Sequence, residues 1–333
     1  MKTKGAMRVE LPITREENYF RAIEFRHPEW IPVRVSLLPA TWMHYREALE
    51  EIVLRHPLIF GEYKKGSKNF DEVSGTYRAG EHVDEWGCVW KNIRDGLEAF
   101  VVYHPLEDWG ALERYRPPEP NADSLPHGFM FLRLTYLRGF ENLMIDFAEE
   151  PPQLHKLIDM VLSYNLAVVE RILSRNPKIV YFGDDLGMQD RLPFRPAHFR
   201  KYLKPCYERI FKRCREAGAH VYFHSDGHIV EIIQDLIECG ISVLNPQVRA
   251  NGLDELVREC KGKVCVDLDL DRQMFPLCSP KDIEEHIREA VMKLGSPEGG
   301  LMLCAEVGPD VPLSNIEAIC DALERYMFFY TQR

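Results

Sequence analysis

Short apolar segments alternate with longer amphipathic segments along the chain from about residue 128 onward. The apolar segments have the length of β-strands, and we assign them to residues 129–134, 178–182, 219–224, 241–244, 264–268 and 300–304. The segments between them, such as residues 151–174 and 196–217, repeat apolar residues every three or four positions and begin with proline, as helices do. This alternation predicts a parallel sheet built from βα units.

An earlier apolar run at residues 31–38, followed by a helical pattern over residues 42–54, supplies another βα unit. A chain of 333 residues is long enough to close such units into one barrel. We therefore expect an α/β fold, a (β/α)8 TIM barrel that spans residues 1–333 as a single domain. Residues 61–128 interrupt the alternation with a hairpin-like pattern and a proline-rich connector, and we predict that this insertion covers one face of the barrel.

The charge and cysteine content exclude several classes of protein. The chain has 42 basic and 52 acidic residues, a formal charge of −10, and no block of basic residues, so nucleic acid is not an expected partner. It has no apolar run long enough to cross a membrane, and residues 1–20 lack a signal-peptide pattern, so we expect a cytoplasmic protein. Nine cysteines without paired spacing indicate reduced thiols.

The segment His224-Ser225-Asp226 follows one predicted strand directly. The loops after the strands of a βα barrel form its active site, so polar residues at these positions are the first candidates for function. His224 suits metal binding or proton transfer. Asp226 either joins it or caps the next helix. Tyr222, two residues before His224, is a candidate for substrate binding.

Cys304 and Glu306 end the last predicted strand and are expected to approach His224 across the barrel. A lone cysteine is often only a small buried side chain, but its position here favours a functional role. Together with His224 and Asp226, these residues offer ligands suitable for zinc. Glu306 is the alternative ligand or a general base.

Asp184 and Asp185 follow the strand predicted at residues 178–182, and Gln189 lies close behind them. Two adjacent carboxylates can orient a substrate or act as a general base, although one of them is expected only to cap a helix. We count Asp184 and Asp185 as catalytic candidates and Gln189 as a substrate-binding one.

Three further polar residues, Asn245, Gln247 and Asp267, lie at the ends of the next two strands and are expected to position a substrate. The chain lacks the glycine-rich dinucleotide and nucleotide motifs, the nucleophile-elbow serine motif and the zincin motif. Chemistry that depends on those motifs therefore has no support in the sequence.

Four segments, at residues 137–159, 182–189, 224–247 and 312–323, together resemble the uroporphyrinogen decarboxylase superfamily. The similarity is greatest to its branch of corrinoid-linked methyltransferases, related to methylcobamide:coenzyme M methyltransferase. This resemblance covers nearly the whole chain. It implies a TIM barrel and a corrinoid protein as partner, and it is consistent with a homodimer.

Two motifs distinguish the branches of this superfamily. The decarboxylases hold the carboxylates of a tetrapyrrole with an arginine-rich amino-terminal segment. This chain lacks that arginine cluster, and the nearest basic residue is the isolated Arg34. The methyltransferases hold zinc with a His-x-Cys motif and a distant cysteine. This chain keeps His224, has Asp226 in place of the first cysteine, and offers Cys304 or Glu306 near the second.

The resemblance leads to the hypothesis of a zinc-dependent methyltransferase. In this hypothesis the metal polarises a methyl-bearing oxygen of a small-molecule donor, and the methyl group passes to the cobalt of a corrinoid that a partner protein carries. One alternative is a metal-free decarboxylase of a tetrapyrrole or another acid, in which Asp184 or Asp185 handles the proton. The other alternative is a non-catalytic protein that binds a corrinoid or a porphyrin.

Overall fold

The computed structural model describes residues 11–73 and 75–331. Residues 1–10, Ser74 and residues 332–333 lie outside the described residues. Ser74 belongs to the predicted insertion, and residues 1–10 belong to the segment on which the expected cytoplasmic location partly rests. The strands are β1 (Val33–Leu37), β2 (Gly80–Val83), β3 (Val89–Asn92), β4 (Phe100–Tyr103), β5 (Ile179–Gly183), β6 (His220–Ser225), β7 (Val243–Pro246), β8 (Cys265–Asp269) and β9 (Leu301–Val307).

Helices follow or connect these strands. They are α1 (Arg15–Ile23), α2 (Pro39–Arg55), α3 (Pro57–Phe60), α4 (Phe131–Arg138), α5 (Phe140–Glu149), α6 (Pro152–Leu173), α7 (Pro196–His198), α8 (Lys204–Glu216), α9 (Ile233–Cys239), α10 (Val248–Asn251), α11 (Leu253–Cys260), α12 (Pro280–Leu294) and α13 (Leu313–Tyr326). Proline begins several of them, because its missing N–H costs nothing in the first turn of a helix. None of the helices in the described part of the chain is long and apolar enough to span a membrane.

A curled parallel sheet forms the centre of the molecule, with the strand order β1-β9-β8-β7-β6-β5. Every neighbouring pair in it is parallel, and all five residues of β8 are buried, as expected for a sheet that is covered on both faces. The predicted α/β barrel is therefore confirmed. Among the described residues, six strands take part in this sheet, and β1 and β5 are its edges.

Alternate residues of the strands pack on opposite sides of the sheet. Tyr222, Val243, Cys265 and Met302 pack together inside the barrel, where Ala22 and Ile23 of α1 join them. Phe223 and the other outward-facing residues of the strands belong to the main core beneath the helices. The amino-terminal end of the barrel is thus filled with apolar side chains, which leaves its carboxyl-terminal end for polar groups.

The strand predicted at residues 129–134 is wrong, because these residues lead into helix α4. A short apolar run does not by itself distinguish a strand from a buried helix. Here Phe131 and Leu134 are buried on one face of the helix. Gly128, just before this run, bonds to the edge of the sheet, where its N–H donates to the carbonyl of Gly183 over 2.7 Å.

The small sheet predicted within residues 61–128 is present as the antiparallel strands β2-β3-β4. It packs on α4, where Trp90 lies edge to face against Tyr136 with ring centroids 4.8 Å apart. After β3, the backbone at Gly96 approaches α2 so closely that a Cβ there would lie 3.1 Å from that of Ala40. Since α2 follows β1, the insertion reaches the carboxyl-terminal end of the barrel.

His56 connects the start of the barrel to its last helix. The residue is buried between α2 and α3, and its Nε2 and Nδ1 lie 3.3 and 3.1 Å from carboxylate oxygens of Glu317 and Glu324 on α13. Burial alone would lower the pKa of His56, but the two glutamates outweigh it and raise the pKa above its ordinary value. The protonated histidine is therefore favoured in the folded state.

We expect this contact to make stability depend on pH. Because the pKa of His56 is raised by folding, its contribution is fully present below the unfolded pKa of about 6.5 and is lost as the pH rises through the folded pKa. The substitution His56→Gln should lower the free energy of unfolding by about 1.5 to 3 kcal/mol near pH 6 and by less at pH 9. Urea denaturation from pH 5.5 to 9 measures this, and a difference that grows with pH would contradict it.

Candidate active site

The register of the parallel sheet brings the predicted site residues to one face. His224 lies beside Asn245, and Cys304 lies beside Asp269 on one side and Arg34 on the other. Parallel neighbours in register point to the same side of a sheet, and residues two apart on one strand share that side. Polar side chains from β1, β6, β7, β8 and β9 therefore face the interior above the apolar layer.

His224 is held in one orientation by Asn245. The amide nitrogen of Asn245 donates to the carbonyl of Asp267 over 2.5 Å, so its oxygen accepts from Nδ1 of His224 over 2.7 Å. Nε2 of His224 then faces two carboxylates, with Asp226 Oδ1 at 3.2 Å and Asp185 Oδ1 at 3.7 Å. Burial alone would lower the pKa of His224, but Asp226 and Asp185 outweigh it and raise the pKa to about 9.

His127 completes a group that sequence reasoning missed. It lies in the connector before α4, and its Nε2 is 3.0 Å from Asp185 Oδ2. His127, Asp185 and His224 each offer one potential metal-ligand atom, and these three atoms lie within 4.8 Å of one another, close enough to hold a metal ion. The space for the His127 ring exists because residue 183 is glycine, where a Cβ would lie 2.4 Å from Nδ1 of His127.

Arg272, in the loop after β8, was also missed. Its guanidinium donates to Asp226 Oδ2 over 2.8 Å and to the carboxylate of Glu306. Burial alone would lower the pKa of Arg272, but these carboxylates hold it above its ordinary value. Asp226 and Glu306 are therefore joined through one cation, and only Asp226 also contacts His224.

Cys304 belongs to a different part of the interior. Burial raises the pKa of its thiol well above the ordinary value, and the negative charge of Asp267 adds to this while Arg34 opposes it. Asp267 itself accepts from Tyr222 over 2.7 Å and from Arg34 over 3.2 Å. Neither Cys304 nor Glu306 is in the group with His127.

The two adjacent aspartates after β5 have different environments. Asp184 is fully buried and accepts from the N–H groups of Phe131 and Leu132 at the start of α4 and from the hydroxyl of Tyr207. These donors favour its anion, but burial outweighs them and raises its pKa to about 6. Asp184 thus caps a helix outside the interior, whereas Asp185 faces His127 and accepts the N–H of Asp226 over 2.9 Å.

The remaining candidates lie around the loop after β6. Gln247 accepts the N–H of Gly227 over 2.9 Å and so supports this loop. A Cβ on Gly227 would lie 2.3 Å from the backbone of Gly187, so the loops after β5 and β6 pack backbone to backbone. Gln189 is exposed in the first of these loops, and no contact joins it to His224 in the described part of the chain.

Sequence reasoning missed His127, Arg272 and Asp269. The alternation along β8 that points to Asp267 also places Asp269 on the inner face, so the sequence pattern was sufficient to predict Asp269 as a site residue. His127 lies in a proline-rich connector, and Arg272 lies in an irregular loop, where no periodic pattern indicates which way a side chain points. These two could be found only in the folded chain.

Comparison with known proteins identifies the wider relationship. A model of the uroporphyrinogen decarboxylase (URO-D) family matches residues 131–326. None of the curated proteins matches the chain significantly. Among solved structures, a methyltransferase from Methanosarcina mazei is similar over 93% of this chain and 98% of its own, at 15% identity and a TM-score of 0.62. This likeness shows a shared fold.

More distant structures cover less of the chain. A B12-independent methionine synthase from a Shewanella species is similar over 62% of this chain and 61% of its own, at 12% identity and a TM-score of 0.42. A dihydropteroate synthase from Xanthomonas albilineans is similar over 47% of this chain and 54% of its own, at 13% identity and a TM-score of 0.30.

The adjacent aspartates allow a paired test of these assignments. Asp184→Asn replaces an acceptor oxygen with a donor and leaves buried N–H groups unpaired, at about 1 to 3 kcal/mol for each such group. We expect it to lower the free energy of unfolding by at least about 2 kcal/mol, whereas the partly exposed Asp185→Asn should lower it by less than about 1 kcal/mol. Urea denaturation of both variants measures this, and equal losses would contradict the assignment.

Proposed function

The chain belongs to the uroporphyrinogen decarboxylase family, and we propose that it is a methyltransferase of that family that binds a divalent metal through His127, Asp185 and His224. The methyl donor in this proposal is a small molecule with a methoxyl or similar group. The acceptor is a corrinoid carried by a partner protein. The barrel and its relationship to known enzymes support an enzymatic role, while the metal, the donor and the acceptor are our inference.

The group of His127, Asp185 and His224 is the observation that carries this proposal. Two imidazoles and one carboxylate are a ligand set of catalytic zinc sites, which keep a further position open for substrate. Asp226 Oδ1 is buried 3.2 Å from Nε2 of His224, yet no hydrogen-bond donor is aligned on it among the described residues. An unpartnered oxygen beside three potential ligands fits a cation.

This ligand set differs from the one predicted from the sequence. Of His224, Asp226, Cys304 and Glu306, only His224 belongs to the group that the fold gathers, with Asp226 next to it. We therefore propose His127 and Asp185 in place of Cys304 and Glu306. Imidazole and carboxylate are harder ligands than a thiolate in the acid–base sense. A metal ion held by them is better suited to bind an oxygen of the donor than a sulfur.

A bound divalent ion would act as a Lewis acid on the methyl-bearing oxygen of the donor. Asn245 holds Nε2 of His224 toward the ion, as the outer partners of metal-bound histidines do. Arg272 holds Asp226 against the same group from the other side. The donor would enter from the carboxyl-terminal end of the barrel, where a partner protein can also present its corrinoid.

Arg34 favours a second candidate function. Its side chain is 52% exposed although it faces the interior from β1, and its one ion pair among the described residues is with Asp267. A guanidinium in this position can hold the carboxylate of a substrate. A metal-independent decarboxylase of a small organic acid is therefore the alternative. Retention of full activity after removal of all metal would favour it.

Metal content tests the proposed ligands. We expect about one zinc per chain after purification without chelators, and loss of that zinc in His127→Ala and in His224→Ala because each removes a ligand. Asn245→Ala should weaken zinc binding by about 10-fold to 100-fold, since it removes the partner that orients His224. Elemental analysis and calorimetric titration give these values.

Cys304→Ala is the matched control for this experiment. It removes a potential ligand that the fold places beside Arg34 and Asp267, so zinc should be retained at the wild-type level. Loss of zinc in Cys304→Ala together with retention in His127→Ala would refute the proposed site. For the activity, no methylation of a reduced corrinoid from any methoxylated donor by the zinc-loaded protein would refute methyl transfer.

A further inference from the structure

Asp269 ends strand β8 with its side chain on the inner face of the barrel. It is level with Cys304 on β9 and with Gln247 after β7. The residue is only 5% exposed, and its Oδ1 has no hydrogen-bond partner in the described part of the chain. A buried carboxylate normally has several donors around it, so an unpartnered oxygen on the inner face of the barrel needs an explanation.

Each of the other inner carboxylates accepts a hydrogen bond or forms an ion pair. Asp267 accepts hydrogen bonds from Tyr222 and Arg34. Asp226 and Glu306 are paired with Arg272. For Asp226, burial alone would raise the pKa, but His224 and Arg272 outweigh it and lower the pKa below its ordinary value.

Asp185 is likewise paired with His127. Two buried carboxylate oxygens on this face have no hydrogen-bond partner among the described residues, Asp226 Oδ1 and Asp269 Oδ1. Asp226 is paired with Arg272 through its other oxygen, whereas no ion pair involves Asp269 in that part of the chain. A carboxyl group that has no donor can carry a proton of its own and donate it.

The charges around Asp269 are mixed. Arg272 and His224 favour its anion, whereas Asp226 and Glu306 oppose it, and Cys304 lies beside it as a neutral thiol. Burial exceeds these effects and raises the pKa of Asp269 to about 7. The group can therefore give up or take up a proton under ordinary conditions, as a general acid must.

Methyl transfer from an ether creates a need for such an acid. The reduced cobalt of the corrinoid supplies both electrons of the new cobalt–carbon bond, and the oxygen–methyl bond breaks with its electrons left on oxygen. The products are a methylated corrinoid and an alkoxide or phenoxide. The oxygen must then be protonated unless it leaves as a stable anion.

We propose that Asp269 is the general acid of this reaction and delivers its proton to the oxygen that loses the methyl group. This inference rests on the proposed methyltransferase function. In the balanced step, the donor ether, the reduced corrinoid and protonated Asp269 become the alcohol or phenol, the methylated corrinoid and the Asp269 carboxylate. Water then returns a proton to Asp269 before the next turnover.

The leaving group provides the test. Zinc-loaded wild type and Asp269→Asn are compared on a series of aryl methyl ethers, from phenols of ordinary acidity to strongly acidic nitrophenols, with cob(I)alamin as acceptor. Asp269→Asn should lower kcat by about 10²-fold to 10⁴-fold for the weakly acidic phenols. For the nitrophenols it should approach the wild type, since these leave without a proton.

The pH dependence supplies a second measurement. Because the acid must be protonated, kcat of the wild type should fall as the pH rises through about 7, and Asp269→Asn should lack this decline. Asp267→Asn is the matched control, since it alters the neighbouring paired carboxylate on the same strand. Whatever its rate, it should keep the wild-type dependence on leaving group and on pH.

Two measurements do not require turnover. Zinc binding to Asp269→Asn should equal that of the wild type, because Asp269 is not a proposed ligand. Infrared difference spectra of the wild type should show a protonated carboxyl group that titrates near neutral pH and is missing in Asp269→Asn. Absence of that band overturns the inference even if the variant does not fold.

The outcomes separate this inference from the proposed function. Wild type that methylates cob(I)alamin, with Asp269→Asn slowed equally for every donor, overturns the general acid and leaves the methyltransferase standing. Wild type that transfers no methyl group even from the nitrophenyl ethers overturns the methyltransferase, and the role of Asp269 falls with it.

Discussion

The register of the parallel sheet decides which side chains meet in this molecule. Strands β6 to β9 and β1 are paired so that His224, Asn245 and Cys304 all face the interior, with alternate residues beneath the helices. A shift of one strand by one residue would exchange its inner and outer side chains, placing a phenylalanine or leucine where a polar group is required. Burial of the apolar outer side chains therefore sets the strand register, and the register in turn places the polar side chains on the inner face.

Within that register, the inner carboxyl groups differ in their partners. Arg272 donates to Asp226 and Glu306, and Tyr222 and Arg34 donate to Asp267. Asp269 has no such partner, and burial decides its state. In the proposed function, one face of the barrel would then offer carboxylates to a cation and a neutral acid for proton transfer, because differing environments separate the pKa values of like residues.

The sequence predicts the elements of the fold well and the contacts between side chains less well. Strands and helices follow from periodicity, which fails only for a short run such as residues 129–134, where a helix and a strand look alike. The strand ends identify His224 and Asn245 as inner residues. They do not reveal that Glu306 pairs with Arg272, because a loop side chain has no periodic direction.

The position of His127 connects the proposed metal site to the insertion. The connector that carries it meets the barrel where Gly128 donates to Gly183, at the open edge of β5. The inserted sheet is fixed to α4, which follows this connector, by a nearly buried ion pair in which Arg133 and Asp84 are 2.8 Å apart. One proposed ligand therefore depends on packing outside the barrel, so a displacement of the inserted sheet would move His127 relative to Asp185 and His224.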